Sequence, residues 1–434
     1  MVRNKINLIE ELRWRGLIND ITPGTEEQLV KESTSGYVGF DPTAESLHIG
    51  SLVPILLLVH MQRAGHQPVA LIGGATGMVG DPTGKSEERN LLDEQALARN
   101  VAGIKKQLSK FLDFDSGQPN AAMLVNNYDW FKNIGFIDFL RDVGKHISVN
   151  YMMAKDSVKK RIEGETGISY TEFAYQLMQG YDFYWLYKNK GVKLQFGGSD
   201  QWGNITTGTE LIRRMTGGQG EAFAFTCPLI KKSDGGKFGK TEKGNVWLDP
   251  DRTSPYQFYQ FWLNSSDEDV KIWLPIFTFL TKEEMDKVMD AHTATPHLRI
   301  AQNKLAEELT AFVHSPEALE FAKKASEILF GQATKESLLS LSAGQLADIM
   351  EGVPRHQLSR NRWDENPDWV TVLAESGIFK SKGEARKMLQ GGGISVNKEK
   401  VESVDATISG VELMHGKFLL VQKGRKNYFL LEII

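Results

Sequence analysis

Apolar positions in the first half of the chain come in two kinds of pattern. The opening residues, MVRNKINLIEELRWRG, place apolar side chains at helical spacing and predict an amphipathic helix. Tyr37–Asp41 is short and largely apolar, which predicts a strand. The polar turn after it leads into His48–Ala64, a long apolar helix. PVALIGGAT (Pro68–Thr76), AAMLVNN (Ala121–Asn127) and VKLQFGGSD (Val192–Asp200) read as three more strands, with a helix over Leu91–Leu112 and helical patterns between the rest. Near-continuous apolar strands separated by helices predict a parallel sheet covered on both faces. Ligands of such sheets bind beyond the carboxyl ends of the strands. Three of the four predicted strands end there in glycine or acidic clusters: GFDPT, GGATG and GGSDQWG. Such residues make turns anywhere, but three clusters at strand ends point to one ligand site.

The pattern changes after about residue 225. SPYQFYQFWLNSSDEDVKIWLPIFTFL and the stretch Met285–Phe330 are largely helical. Arg355–Asp368 is polar and reads as a linker. KSKGEARKMLQGGGISVNKEKV then predicts a basic helix, a glycine turn and a strand, and short strands continue to the end. The predicted organisation is an α/β domain over 1–225, an α-helical domain over 226–354, a linker over 355–368 and a small α+β domain over 369–434. There is no internal repeat and no low-complexity tract.

The 434 residues suit two or three domains with a large core. Hydrophobic content of 41% and charged content of 24% are ordinary for a soluble globular protein. No signal-peptide apolar core is present, and stretches such as Leu52–Val59 are too short to span a bilayer. Cys227 stands alone, so no internal disulfide can form, which fits a reducing cytoplasm. The net charge of −4 gives no whole-chain nucleic-acid signal. From Asn366 to Ile434, however, ten basic residues face eight acidic ones, leaving that tail at +2 on a body of −6, a weak pointer to a polyanion partner there.

His48 sits where a helix begins. Helix N-termini attract anions, and a histidine there can donate to a phosphate. Gly50, without a side chain, would let a flat ring or phosphate lie against the backbone. A capping histidine beside a packing glycine fits the same residues. GGATGMVGDPTGKSEER (Gly73–Arg89) is not a P-loop, because only three residues separate Gly80 from Gly84 and Val79 is not glycine. Lys85 and Arg89 remain candidate phosphate contacts. KKSDGGKFGKTEKG (Lys231–Gly244) holds five lysines and four glycines and reads as a flexible loop that could close over a triphosphate. In YTEFAYQLMQGYDFYWLY, Tyr175, Gln179 and Asp182 fall at i, i+4 and i+7 on one helix face. Burying these polar groups is costly unless a ligand completes them. Gly180 among them is consistent with a close approach.

Together these residues resemble the bacterial-type tyrosyl-tRNA synthetases, which are class I aminoacyl-tRNA synthetases. His48-Ile49-Gly50-Ser51 resembles the class signature H-I-G-H, and Lys237-Phe238-Gly239-Lys240-Thr241 resembles K-M-S-K-S. YVGFDPTAESLHIG, GGATGMVGDPTGKSEER, NNYDWF, QGYDF and QFGGSDQWGNI are similar to the tyrosine subfamily, and GEARKMLQGGGISVN to the S-four-type RNA-binding domain. The resemblance implies a Rossmann-like catalytic domain, an α-helical domain and a terminal RNA-binding domain. It implies activation of L-tyrosine by ATP with Mg²⁺, no bound prosthetic group, transfer to tRNA(Tyr), a cytoplasmic homodimer and no membrane association. By the same resemblance, Tyr37 and Asp182 would bind the phenol. Tyr175, Gln179 and Asp81 would hold the α-ammonium, with Gln201 near the carboxylate. Asp41, Gly50, Gly198 and Asp200 would serve ATP, and Thr43, His48, Lys85, Arg89, Lys237, Lys240 and Thr241 the phosphates. Two departures stand out: Ser51 replaces the second histidine of the first signature, and Val38 stands where many relatives have cysteine. The alternatives are a tryptophan-specific class I synthetase and a non-catalytic RNA-binding protein on the same scaffold.

Overall fold

The computed structural model describes residues 6–434 apart from 84–92, 165–166, 237, 242–243, 331–334, 351–352 and 425–426. The chain forms two compact units. One contains the residues up to Thr253 together with Phe261–His314, and the other contains Ser254–Gln260 with Ser315–Ile434.

The first unit is built on a parallel five-stranded sheet in the order β3-β2-β1-β4-β5. β1 (Ser35–Phe40), β2 (Gln67–Ile72), β3 (Met123–Asn126) and β4 (Val192–Gly198) occupy the four predicted stretches. β5 (Phe223–Cys227) is a fifth strand that the sequence pattern did not single out; it pairs in parallel with β4 from Leu194↔Phe223 to Gly198↔Cys227. The chain runs outward from β1 through β2 to β3, then returns to the other side at β4. The order therefore reverses between β1 and β4, and a crevice opens beyond their carboxyl ends. The helix Leu52–Arg63 after β1 is buried nearly all round, which its unbroken apolar run requires.

Two helices floor the crevice. Tyr170–Lys190 begins at the cap Ser169, whose hydroxyl accepts from Glu172 N–H, and ends at the left-handed Gly191. It packs along Trp202–Met215. The close approach anticipated at Gly180 is made by this second helix: a methyl group there would lie 3.2 Å from Thr207 Cγ2. The buried pair Arg161–Glu172, two parallel bonds of 2.8 and 2.7 Å, anchors the start of Tyr170–Lys190.

The helices Asp267–Phe277, Lys282–Ala294 and Ile300–Val313 belong to this same unit, so the helical segment of 226–354 does not stand as one separate domain. A buried guanidinium fastens the end of the first of them. Arg15, held by Glu11 at 2.8 Å, donates to the carbonyls of Pro275, Thr278 and Leu280 at 2.8, 2.7 and 2.8 Å. No helix among the described residues is long and apolar enough to cross a membrane.

The second unit carries a mixed five-stranded sheet. Its strands are β8 (Arg355–Leu358), β9 (Ile394–Val396), β10 (Glu399–Lys400), β11 (Phe418–Lys423) and β12 (Asn427–Ile433), in the order β10-β9-β11-β12-β8. The intervening pair β6 (Lys240–Thr241) and β7 (Gly244–Asn245) belongs to the first unit. β8 corrects the linker reading of 355–368: it pairs in parallel with β12 from Leu430↔Arg355 to Ile433↔Leu358, and a helix comes next at Arg360–Asp364. Leu358 is buried in the core with Trp369, Leu373 and Leu431. A chain ending at Asp368 should therefore strand β8 without its partner and expose that apolar surface, whereas one ending at Val353 removes the sheet whole. Light scattering of the two chains should show aggregation only in the longer one; equal solubility would mean that β8 does not depend on the sheet.

Candidate active site

A cavity of about 250 Å³ opens in the crevice between β1 and β4. β1 supplies Tyr37, Val38 and Gly39, and its exit supplies Asp41. The helix Tyr170–Lys190 supplies Tyr175, Gln179 and Asp182, while β4 and its exit supply Gln195, Gly198 and Gln201. The one-face reading of Tyr175, Gln179 and Asp182 thus holds: all three line this cavity, as do Asp81 and Gln201.

Asp182, 2% exposed, has a donor on each oxygen. Asn127 Nδ2 reaches Oδ2 at 3.0 Å and Trp130 Nε1 reaches Oδ1 at 2.9 Å. Asn127 is itself fixed, accepting from Ala75 N–H at 2.7 Å and donating to Thr76 Oγ1 at 3.0 Å. Burial pushes the Asp182 carboxyl up to about 8 despite these two donors, with nearby Asp41 adding to the effect. The Tyr37 hydroxyl is buried without a hydrogen-bond partner. Desolvation first, and then the charge of Asp182, raise its pKa. Gln195 Oε1 is likewise buried and unpartnered.

The opposite wall is a second polar network. Asp81 Oδ2 accepts from Gln201 Nε2 at 2.8 Å, and Asn204 Nδ2 donates to Gln179 Oε1 at 3.1 Å and to Gln201 Oε1 at 3.3 Å. Asp41, expected on the ATP side, is part of the first cavity's wall: it accepts from Tyr175 OH at 2.9 Å and from Thr76 Oγ1 at 2.8 Å. Burial, then Asp41 and Asp81, raise the Tyr175 phenol. Three carboxyl groups line this cavity and no lysine or arginine does among the described residues; with Asp182 largely protonated near neutral pH, Asp41 and Asp81 give it a potential that favours a cationic group.

A larger cavity, about 530 Å³, adjoins the first and shares Pro54 and Gly198 with it. Gly50, Asp200, Leu229, Lys231 and Phe238 are among its lining. Cys227 also lines it, but burial and then Asp200 push the thiol up to about 12, leaving it unreactive. Asp200 lies exposed at the mouth, and the protein around it, then Asp81, raise its carboxyl.

Both signatures meet at this cavity. His48 caps a 3-10 turn, Ile49–Ser51, and its Nδ1 accepts from Gly50 N–H at 3.0 Å. A neutral ring there carries its proton on Nε2. His48 does cap this turn, and Gly50 is glycine partly because a methyl would lie 2.7 Å from His48 Cε1. Ile49 N–H donates to Val246 O at 2.9 Å, Val246 N–H donates to Gly239 O at 3.1 Å, and His48 forms a β-bridge with Trp247. Gly239 has φ +81°, and a side chain there would press on Ile49. Phe238 stacks on Phe277 with centroids 5.3 Å apart and meets Trp273 edge-on at 5.1 Å. Lys240 and Thr241 contribute their backbone to β6, paired with β7; their side chains, together with Lys85, Arg89 and Lys237, lie outside the described residues. Thr43 is exposed on the loop before His48 and lines neither cavity. Asn127, Trp130 and Asn204 were given no role from sequence, although each falls inside a quoted motif, NNYDWF or QFGGSDQWGNI.

A nucleotide-sized cleft at the switch point of a parallel sheet, beside an acidic pocket, defines a class. Residues 30–331 match the family model described as tRNA synthetases class I (W and Y). Residues 345–431 match that of the Tyrosine--tRNA ligase SYY-like C-terminal domain. The tyrosine--tRNA ligase of Flavobacterium johnsoniae is 60% identical over 430 residues, covering 99% of this chain and all of its own length (100%). That of Bacteroides thetaiotaomicron is 60% identical over 429 residues, 98% of this chain and 99% of that one. The chain belongs to the tyrosine--tRNA ligases. Among solved structures, a C-terminally truncated Aspergillus nidulans mitochondrial tyrosyl-tRNA synthetase gives a TM-score of 0.67 at 31% identity over 76% of this chain and 95% of that one. A Plasmodium falciparum tryptophanyl-tRNA synthetase, at 12% identity and TM-score 0.54 over 80% and 92% of the two chains, shares the fold alone.

Asp182 also gives a pH prediction. Its folded carboxyl keeps a proton to about pH 8, whereas the unfolded carboxyl releases it near pH 4 (about 3.9). The stability it contributes is therefore complete below about pH 4 and is lost as pH rises through about 8. The melting temperature of the ligand-free protein should decline over that window, and Asp182→Asn should flatten the decline. An unchanged pH profile in Asp182→Asn would show that this carboxyl is not the titrating group.

Proposed function

We propose that the first cavity takes L-tyrosine and the adjoining one ATP, and that the tyrosine carboxylate attacks the α-phosphorus in line, expelling pyrophosphate and leaving tyrosyl-adenylate. The adenylate then passes its tyrosyl group to the terminal adenosine ribose of tRNA(Tyr). The juxtaposition of the two signatures beside an acidic, phenol-sized pocket supports this reading most. The substrate hydroxyl meets Tyr37 and Asp182, while Asp81, Tyr175 and Gln179 take the α-ammonium and Gln201 lies near the carboxylate. Asp200, Gly50 and Gly198 border the nucleotide. Lys85, Arg89, Lys237 and Lys240 neutralise the leaving phosphates, and Thr43, His48 and Thr241 donate hydrogen bonds to them. No protein nucleophile is needed; positioning and fixed charge lower the barrier. ATP is taken as its Mg²⁺ complex, the ion belonging to the substrate.

Phenylalanine is rejected because it would leave buried polar groups of Tyr37 and Asp182 unpaired, at about 1–3 kcal/mol for each. The second unit is read as a tRNA-binding module. The exposed apolar side chains of Phe136, Ile137 and Leu140, with Ile137 70% accessible, support a homodimer through that face. The lone buried cysteine suits a cytoplasmic site of action.

Amino-acid-dependent ATP–pyrophosphate exchange tests the assignment. Tyrosine should support exchange and the other amino acids should not; exchange with tryptophan alone would overturn it. Asp182→Ala should weaken tyrosine use far more than ATP use. Lys240→Ala should slow adenylate formation while tyrosine affinity stays nearly constant. A chain ending at Val353 should still exchange but charge tRNA poorly. Equal losses for both substrates, or normal charging by the shortened chain, would contradict the respective roles. Sedimentation should give a dimer that Ile137→Asp dissociates; a monomeric parent protein would remove the dimer proposal.

A further inference from the structure

The helix Glu94–Leu108 lies across the loop that joins β1 to the His48 turn. Two of its polar residues are buried: Asn100 is 6% exposed and Gln107 8%. Asn100 Nδ2 donates to Pro42 O at 2.8 Å. Gln107 uses both ends of its amide: Oε1 accepts from Leu47 N–H at 2.8 Å, and Nε2 donates to Ser46 Oγ at 2.9 Å. Between them on the same face sits Gly103. A methyl group there would overlap the Glu45 carbonyl oxygen and lie 3.0 Å from its carbonyl carbon, so the helix backbone rests directly on the loop. From the far side, Leu248 N–H donates to Leu47 O at 2.9 Å, and Arg252 pairs with Glu45 at 3.0 Å.

Covering a loop needs only apolar side chains. Buried amides do something else: each satisfies a particular backbone group at a fixed distance and direction, so a shift of the loop along the helix would leave several polar groups unpaired. The loop held in this way carries Thr43 and ends at His48. We propose that Asn100, Gly103 and Gln107 are positioning residues for adenylate formation, holding Pro42–His48 in the register that sets Thr43 and His48 against the leaving pyrophosphate. The proposal rests on the phosphate roles given above to Thr43 and His48.

The test uses the full-length protein with tyrosine and MgATP, measuring single-turnover adenylate formation, tyrosine dissociation constant and melting temperature. Gln107→Ala should slow adenylate formation at saturating substrates by between about tenfold and about a hundredfold, with the tyrosine dissociation constant within about twofold of the parent. Gly103→Ala should act in the same direction. Because Gln107 holds Ser46 and Leu47, directly before His48, the loss caused by Gln107→Ala in a His48→Ala background should shrink to less than about threefold. A folded Gln107→Ala with parental rate, a parallel loss of rate and tyrosine binding, or full additivity with His48→Ala would each overturn the proposal. Should Gln107→Ala not fold, Asn100→Ser and Gly103→Ala are judged by the same criteria. An unchanged rate in His48→Ala alone would mark failure of the underlying phosphate assignment, and the proposal would fall with it. A slowed His48→Ala beside a parental Gln107→Ala would overturn the positioning role alone.

Discussion

Two backbone hydrogen bonds hold the two signature segments together beside the larger cavity: Ile49 N–H to Val246 O, and Val246 N–H to Gly239 O. They tie a turn near the start of the chain to a loop 190 residues later, counting from Ile49 to Gly239. Closing so long a loop costs only slightly more than closing a short one, since the entropy grows with the logarithm of length. What such a contact needs is precise anchoring at both ends. The early end is anchored by the buried helix Leu52–Arg63. The late end is anchored by the ring of Phe238 against Phe277 and Trp273, on a helix whose own exit is held by Arg15. Gly239 on that loop thus has a defined place beside the His48 turn even though the loop itself is rich in glycine.

The acidic cavity obeys a different constraint. A carboxyl group as buried as Asp182 is costly to keep charged. Two donors on its oxygens offset part of that cost, and its pKa of about 8 shows that they do not offset all of it. Near neutral pH the ligand-free pocket therefore holds one acid largely in its neutral form and an unpartnered phenol, Tyr37, beside it. Such a pair can exchange hydrogen bonds with an added hydroxyl without any change in net charge. If tyrosine binds as proposed, its discrimination rests on satisfied versus unsatisfied polar groups rather than on shape.

Local periodicity made part of the molecule legible in the sequence. Four of the five parallel strands are apolar runs, and the spacing of Tyr175, Gln179 and Asp182 put them on one face before any partner was known. β5 was missed because Phe223–Cys227 is short and falls where the pattern turns helical. β8 was missed because only Leu358 of its four residues is buried, so an edge strand looked like a polar linker. Asn127 and Trp130 escaped for another reason. They lie 55 and 52 residues from Asp182 in the chain, and a polar contact at that range leaves no periodic trace. The same holds for Asn100 and Gln107, whose partners lie on a loop 58 and 60 residues away.

These long-range polar contacts divide the labour of the site. The cavity proposed for the ring is made by rigid elements: strand ends, one helix face and the fixed side chains of Asn127 and Trp130. The side proposed for the phosphates has no strand to stiffen it, because Thr43 and His48 come after β1 on a connecting loop. A loop of this kind keeps its shape only if its own backbone groups find partners. Here those partners come from a neighbouring helix through Asn100 and Gln107, and from the segment after the second signature through Leu248 N–H. The segment that binds the His48 turn thus also holds the loop leading into it. Charge stabilisation of a leaving phosphate gains most when its donors need no rearrangement as the reaction proceeds. Fixing this loop from two sides would meet that requirement for the phosphate roles proposed for Thr43 and His48.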